Sequence, residues 1–287
     1  MLQNTVDAII FDLTQMPMKT RLAILDDHAH QLETKGRSYW MELPHQRKGF
    51  HLMGVANDAK TIKGEKLDVD TGIIYMIADS QATPKGTTLC EWAIDALCNK
   101  ACLLTAGRGR MTSVEMSRLY KTLYYLQMRE DFLARLRKEL AAHQIRAEKA
   151  GRQAAFRFDG TTDTGEGYAL AQEFPAIEFY DYSKGVSRSI ERNNTLPNYH
   201  VTLSYSGAKP DYAARVLDAV RNGENASVVF RTRAMLEKAM LEGWNGFQVL
   251  DGDEHDVRYL DKRGSYIIGL GAKGKAKTDR KGFVVDI

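Results

Sequence analysis

The chain has 287 residues, 44% of them hydrophobic, and a net charge of only +3 from 40 Lys and Arg against 37 Asp and Glu. This is the composition of a globular protein of one large domain or two modest ones. No run of about 18 apolar residues is present to span a membrane. Asp7 and Asp12 stand where a signal peptide would need a basic region ahead of an apolar core. Three cysteines, an odd number, with no export signal predict a cytoplasmic protein kept reduced.

Residues 1–80 read as a small α+β region. An apolar run lies at 6–11, a helix is expected at 22–32, and 40–55 alternates loosely with basic residues. His28 and His30 form an H-x-H pair, a weak metal signal. Residues 72–78 predict a strand, and Pro84 and Gly86 mark a loop after it. Residues 81–287 form the second unit: a cysteine loop, a long helix and a parallel α/β domain.

All three cysteines fall within thirteen residues, as Cys90, Cys98 and Cys102. Three clustered thiolates can hold an iron-sulfur cluster with one iron left open, or zinc with one position open or filled by His. The plainer reading is three small hydrophobic side chains packed in a core. Residues 91–104 are compatible with a helix, which would put Cys98 and Cys102 on one face. Cys90 would then lie about 12 Å from Cys98 along the axis, so a shared metal requires the chain between them to bend back.

Gly107, Arg108 and Gly109 follow at once and could bind a phosphate at the start of the next helix. Thr112 and Glu115 have the spacing of a capping box. From there a helix is expected to run to about residue 149, with Leu119, Leu123, Leu126, Leu133, Leu136 and Leu140 as its apolar stripe. Residues 100–152 carry twelve Lys and Arg against five acids, so this segment is +7 and the remainder −4. A second basic run contains Lys273, Lys275 and Lys277. Together these faces could bind nucleic acid. A charged stripe is more often a solvated helix face, with pairing here to Glu115, Glu130 or Glu139.

After residue 153 the pattern is regular. Strands are expected at 154–158, 177–182, 199–204, 226–230, 247–250 and 265–270, and helices at 167–173, 186–192, 211–221 and 234–241. Alternation at this length predicts a parallel sheet, either an open sheet or a partial (β/α) barrel. Ligands of such folds bind beyond the carboxyl ends of the strands. The polar residues expected there are Asp159, Asp163, Asp181, Lys184, Ser204, Arg231, Asp251 and Asp253, and they are the candidate catalytic set. Asp159-Gly160 and Asp251-Gly252 are also ordinary turn pairs.

The strings CEWAIDALCNKACLLTAGRGRM at 90–111, RLYKT at 118–122, FRFDGTTD at 156–163, FYDYSKG at 179–185, NYHVTLSYS at 198–206, VLDGDEHDVRYLD at 249–261 and GLGAKGKAK at 269–277 resemble a bacteriophage and prophage family, the gene product eighty-eight kind. The likeness covers roughly residues 80–287. The family's layout is in turn similar to that of radical S-adenosylmethionine (SAM) proteins, with three cysteines ahead of a partial barrel. That resemblance implies a 4Fe-4S cluster on Cys90, Cys98 and Cys102, with SAM on the open iron. The spacing departs from the usual C-x3-C-x2-C, and Ala101 stands where those proteins have an aromatic residue. The expected function is therefore a phage-encoded, radical SAM-like enzyme acting on a nucleotide, nucleic acid or modified base. The alternative is a non-catalytic nucleic-acid-binding or replication accessory protein whose cysteines hold zinc or nothing.

Overall fold

Apolar runs of five or six residues, separated by helices that each show one apolar face, give the chain a single way to bury both: strands side by side, with helices over one face. The computed structural model describes residues 51–55, 59–78, 88–102, 112–127 and 129–287. The expectations at 6–11 and 22–32, the His28 and His30 pair, and Gly107, Arg108 and Gly109 lie outside the described residues. The elements are α1 (Ala59–Glu65), β1 (Val69–Ile73), α2 (Ala93–Ala96), α3 (Thr112–Gln127), α4 (Arg129–Lys149), β2 (Gln153–Arg157), α5 (Gly167–Glu173), β3 (Glu178–Ser183), α6 (Val186–Asn193), β4 (Tyr199–Ser204), α7 (Pro210–Arg221), β5 (Ala226–Phe230), α8 (Arg233–Glu242), β6 (Val249–Asp251), β7 (Ile267–Gly271) and β8 (Val284–Val285). No helix among the described residues is long and apolar enough to cross a membrane.

The strands form one curled, all-parallel half-barrel in the order β1-β2-β3-β4-β5-β7-β6, with β8 beside the carboxyl end of β5. β1 comes from before residue 80 and pairs with β2 over its whole length, so this sheet draws on both stretches distinguished in the sequence. Phe156 and Phe179 are register partners and therefore share a face. Their rings meet edge to face at 5.5 Å and pack with Leu136 and Leu140 of α4. Burying each such side chain contributes roughly 1.5–3 kcal/mol. A second apolar cluster joins Leu203, Val228 and Ile267 of the sheet to Val216 of α7 and Leu236 of α8. α7 starts with Pro210 in its first turn, and α8 with Thr232, whose hydroxyl accepts from the Met235 amide at 3.2 Å.

The alternate residues point to the concave face. Here the register aligns Arg157, Tyr180 and His200, and then Tyr182 with Thr202 and Ser204 with Ser227. This face is polar, and the chain covers it with its own β6–β7 connection. Val257 is fully buried against Val69, Ala155 and Tyr180, and the turn Arg258–Leu260 lies on β3 and β4.

Two local expectations are corrected. Residues 91–102, the described part of the helix expected at 91–104, do not form one helix: α2 holds only Ala93–Ala96, Leu97 then takes a left-handed conformation (φ 47°), and a 3₁₀ turn, Asn99–Ala101, follows. A residue with positive φ ends a helix, so Cys98 and Cys102 do not share one helical face. The Asp-Gly pairs also do more than turn the chain. The Gly160 amide donates to the Ile74 carbonyl at 3.0 Å, and a Cβ on Gly160 would meet that oxygen at 2.5 Å. Gly252 likewise donates to the Gly269 carbonyl at 2.8 Å, and a Cβ there would meet Ile268 at 2.6 Å. Glycine lets each strand end press against its neighbour's backbone.

Gly160→Ala and Gly252→Ala should each lower stability by about 1–3 kcal/mol through overpacking. Urea melts of the purified variants check this. A midpoint unchanged from the parent would show that the strand ends separate freely.

Candidate functional site

The cysteine segment, residues 88–102, lies across the carboxyl ends of the strands. At its start the Leu89 carbonyl accepts from the Asp163 amide at 2.8 Å, and Cys90 bridges in parallel to Asp163. Over β3, the Trp92 ring takes the Arg188 guanidinium on its face at 4.0 Å and presses against Gly185. Over β4, the Ala96 carbonyl accepts from the Ser206 hydroxyl at 2.6 Å. At its far end Ala101 packs with Ala272, Ala276 and Val284. Each contact uses a small or flat residue, which lets the segment lie close to the rim.

Beneath it, β2 and β3 bring four of the eight expected rim residues together. Asp159 is buried and fully hydrogen-bonded. Its carboxylate accepts from the Thr162 hydroxyl at 2.6 Å, from the Thr164 amide at 3.0 Å and from the Gly165 amide at 2.8 Å. Burial and the nearby Asp163 push its pKa up, against these bonds. Asp163, 2% exposed, accepts from the Lys184 amide at 2.8 Å and pairs with Arg188 at 2.5 Å. Asp181 accepts the Asp159 amide at 3.0 Å on one oxygen, while the other is buried with no hydrogen-bond partner. Burial first, and Asp159 second, hold its pKa well above the ordinary value. Both causes favour the neutral form of the carboxyl group. Asp159 and Asp181 therefore shape the loop after β2.

Lys184 is the member with reach. Burial disfavours its ammonium, but Cys98, Asp163, Tyr212 and Cys90 all lie close enough to outweigh that, and its pKa is raised. Burial pushes the Cys98 thiol up; Lys184 pulls it down and Cys102 and Asp163 push it further up. The result is a protonated lysine beside a neutral thiol, with Asp163 close to both.

The other four rim residues are placed elsewhere along the sheet. Ser204 is buried on β4, and its carbonyl accepts from the Tyr212 hydroxyl at 2.6 Å. Arg231 forms a two-point pair with Asp286, one of its contacts at 2.9 Å. Asp251 pairs with Arg233 at 2.7 Å. Asp253 accepts from the Gly271 amide at 2.8 Å and from Lys273 at 2.7 Å. The contacts of Arg231, Asp251 and Asp253 pin the β5–β6–β7 end of the sheet, while Tyr212, bonded to Ser204, lies near Lys184.

The three thiols follow a similar division. Cys98 is buried in the apolar cluster behind β4 and lies near Cys102, while the Cys90 sulfur stands 3.9 Å from the Thr161 carbonyl. Among the described residues no three His, Cys, Asp or Glu side chains are grouped to hold a metal ion. As folded, the cysteine set does not fit a cluster or a zinc.

The basic helix is largely occupied with its own fold. Arg129 pairs with Glu166 at 2.5 Å, Arg137 with Glu173 at 2.6 Å, Arg146 with Asp70 at 3.3 Å, and Arg152 with Glu65 at 3.9 Å. Arg118 and Lys121 are buried. Arg135 uses one of the acids expected in the sequence, Glu139, while the partners of the other arginines named come from β1, α1 and the start and end of α5. Sequence reasoning missed Arg157, a fully buried arginine on the concave face. The available signal was an arginine between two phenylalanines in a strand otherwise buried on both sides.

An all-parallel half-barrel with a polar cluster and an overlying segment at the carboxyl ends of its strands defines the chain as a protein of the α/β class. The chain belongs to the phage-type family described as Gene product 88, whose model matches residues 51–287. No curated protein and no solved structure matches it.

The two buried acids should behave oppositely on amidation. Asp181→Asn mimics the protonated acid and should leave the melting temperature at pH 7 unchanged or higher. A raised native pKa stabilises below the unfolded value near 3.9 and is lost as pH rises through the native value. The advantage of Asp181→Asn should therefore grow as pH rises above about 4. Asp163→Asn removes a charge from the buried Arg188 pair and should cost on the order of 3 kcal/mol. Thermal melts of both variants across pH check this, and equal effects at pH 7 would contradict the assignment.

Proposed function

We propose that this chain is an enzyme acting on a small molecule of the nucleotide class, held at the carboxyl ends of β2, β3 and β4 under the cysteine segment. The observation that carries this reading is Lys184. It directs a protonated ammonium to the strand end where parallel α/β sheets meet their ligands, with Cys98, Cys90 and Asp163 around it. A raised lysine pKa suits an electrostatic anchor for a phosphate or a developing negative charge, and does not suit a base or a Schiff-base former. Cys98, kept as a thiol, is not an activated nucleophile.

A second reading is favoured by one observation. The three cysteines follow β1 directly and lie over the rim, with Cys98 near Cys102 and both Cys98 and Cys90 near Lys184. That order is the one in which the radical SAM-like layout would place an iron-sulfur cluster and SAM. Since the thiols do not form a ligand set as folded, no catalytic step is assigned to such a group. Iron and sulfide analysis of anaerobically purified protein, with Cys90→Ala, Cys98→Ala and Cys102→Ala in parallel, separates this reading from the first. Zinc analysis of the same samples covers the alternative metal. A nucleic-acid role finds less support, because the helix cations described above are paired or buried.

Nucleoside mono-, di- and triphosphates should bind the full chain, and Lys184→Met should weaken the best of them at least tenfold, or about 1.4 kcal/mol. Lys184→Arg should restore part of that loss. Calorimetric titration supplies the measurement. Binding by no member of the panel, or equal binding by Lys184→Met, would overturn the reading.

A further inference from the structure

The concave face of the half-barrel holds a second cluster, of opposite charge to the acids at the rim. Arg157 is the last residue of β2 and is 2% exposed. Its guanidinium lies 5.5 Å from the centre of the Tyr180 ring and 5.1 Å from that of Tyr182. It forms no ion pair among the described residues, and its Nε and Nη1 donate no hydrogen bond. Arg258 descends onto the same face from the β6–β7 connection. It is flanked by Val257, packed on Tyr180, and by Tyr259, whose ring lies 5.8 Å from Tyr180 and 5.7 Å from His200. The Arg258 side chain is 1% exposed. Its Nη2 donates to the His255 carbonyl, and its Nη1 lies 3.2 Å from Asp261, while Nε and Nη1 are without a hydrogen-bond partner. Both guanidiniums act on Tyr182, pulling its pKa down against the burial that raises it.

Two buried cations that share one tyrosine repel each other where the dielectric is low. Arg157 Nε and Nη1 and Arg258 Nε have lost water and donate no hydrogen bond. The tyrosine rings offset part of this for Arg157, but a ring face leaves the in-plane N–H donors unused. Asp261 pairs with Arg258, but no carboxylate pairs with Arg157 among the described residues. Burial raises the pKa of Asp261 to about 6, against the pull of Arg258. Asp181 lies on the opposite face of the sheet, where burial first and Asp159 second raise its pKa well above the ordinary value. Asp256 also acts on Tyr182 and has interactions of its own.

We propose that Arg157 and Arg258 form an oxyanion site on the concave face that takes a phosphate group. A guanidinium presents its N–H groups in the planar fork that matches phosphate oxygens, and two such groups on one face, one from β2 and one from the covering connection, suit one tetrahedral anion. The aromatic rings of Tyr180, Tyr182 and Tyr259 beside it suit a flat base or sugar attached to that phosphate. As a phosphate site this stands on the two arginines alone. As the phosphate subsite of the substrate it rests on the function proposed above.

The test uses the full chain and inorganic phosphate, followed by phosphorus NMR and by thermal shift. Phosphate should raise the melting temperature with increasing concentration and broaden its own resonance. Arg157→Gln and Arg258→Gln should each cut the affinity at least tenfold. Arg157→Gln, which removes an unpaired buried charge, should melt no lower than the parent without phosphate. Where a variant fails to fold, the phosphorus resonance of the parent still decides: no broadening overturns the site. Equal phosphate binding by folded Arg157→Gln and Arg258→Gln also overturns it. Nucleotides compared with their unphosphorylated nucleosides distinguish a substrate phosphate from a free one. Lys184→Met should leave inorganic phosphate binding intact. Phosphate binding that survives while nucleotides fail to bind would therefore sustain this site and remove the proposed function.

Discussion

The fold depends on how the concave face of a half-barrel is covered. A closed barrel fills its interior with layers of side chains from opposite strands. A sheet that stops halfway has no opposite strands, so its inner face meets either water or another part of the chain. Here the β6–β7 connection takes that place, with Val257 as the buried anchor and Tyr259 against Tyr180 and His200. This explains why β6 and β7 exchange places at the sheet edge. The chain leaves β6 at the edge, crosses the inner face, and returns to pair β7 with β5. The Lys63 ammonium, which donates to the Asp253 carbonyl, ties the start of this crossing to α1.

The carboxyl ends of the strands are organised by a different economy of space. Gly160, Gly252 and Gly185 each remove a Cβ where backbone or a ring must come close. The loop after β2 is then wrapped around the Asp159 carboxylate, which gathers donors from Thr162, Thr164 and Gly165. That loop positions Asp163 to hold the cysteine segment through Leu89 and to pair with Arg188, which stacks on Trp92 of the same segment. A buried carboxylate with every oxygen in use is costly to desolvate but specifies one geometry. The rim acids therefore serve position first.

Much of this was legible in the sequence and some was not, for physical reasons. The strands at 199–204 and 226–230 and the helix at 167–173 are found where the patterning places them, because buried parallel strands and amphipathic helices are set by local periodicity. The helix expected at 91–104 was misread because its apolar residues serve a close-packed segment over the rim, and because Leu97 adopts a conformation that a leucine does not advertise. The rim set was legible as a list but not as a grouping. Strand order and curl decide that Asp159, Asp163, Asp181 and Lys184 meet while Arg231, Asp251 and Asp253 pair elsewhere, and neither property is local. Arg157 shows the same limit, since alternation places it opposite Phe156 and Phe158 but does not say what covers that face.

The two buried clusters are linked through the sheet itself. Arg157 and Asp181 lie on adjacent strands but on opposite faces, and a salt bridge between them would have neutralised both. Arg157 does lower the pKa of Asp181, yet burial and the neighbouring Asp159 prevail and the net shift is upward. Two carboxyl groups crowded at one strand end cannot both ionise at low cost, so the loop after β2 uses up the negative charge that Arg157 would otherwise draw upon. The positive charge of the concave face is thus a consequence of how the rim is built. A sequence that places Asp159 and Asp181 side by side beneath the cysteine segment also leaves Arg157 charged and without a carboxylate partner, facing the connection that brings Arg258.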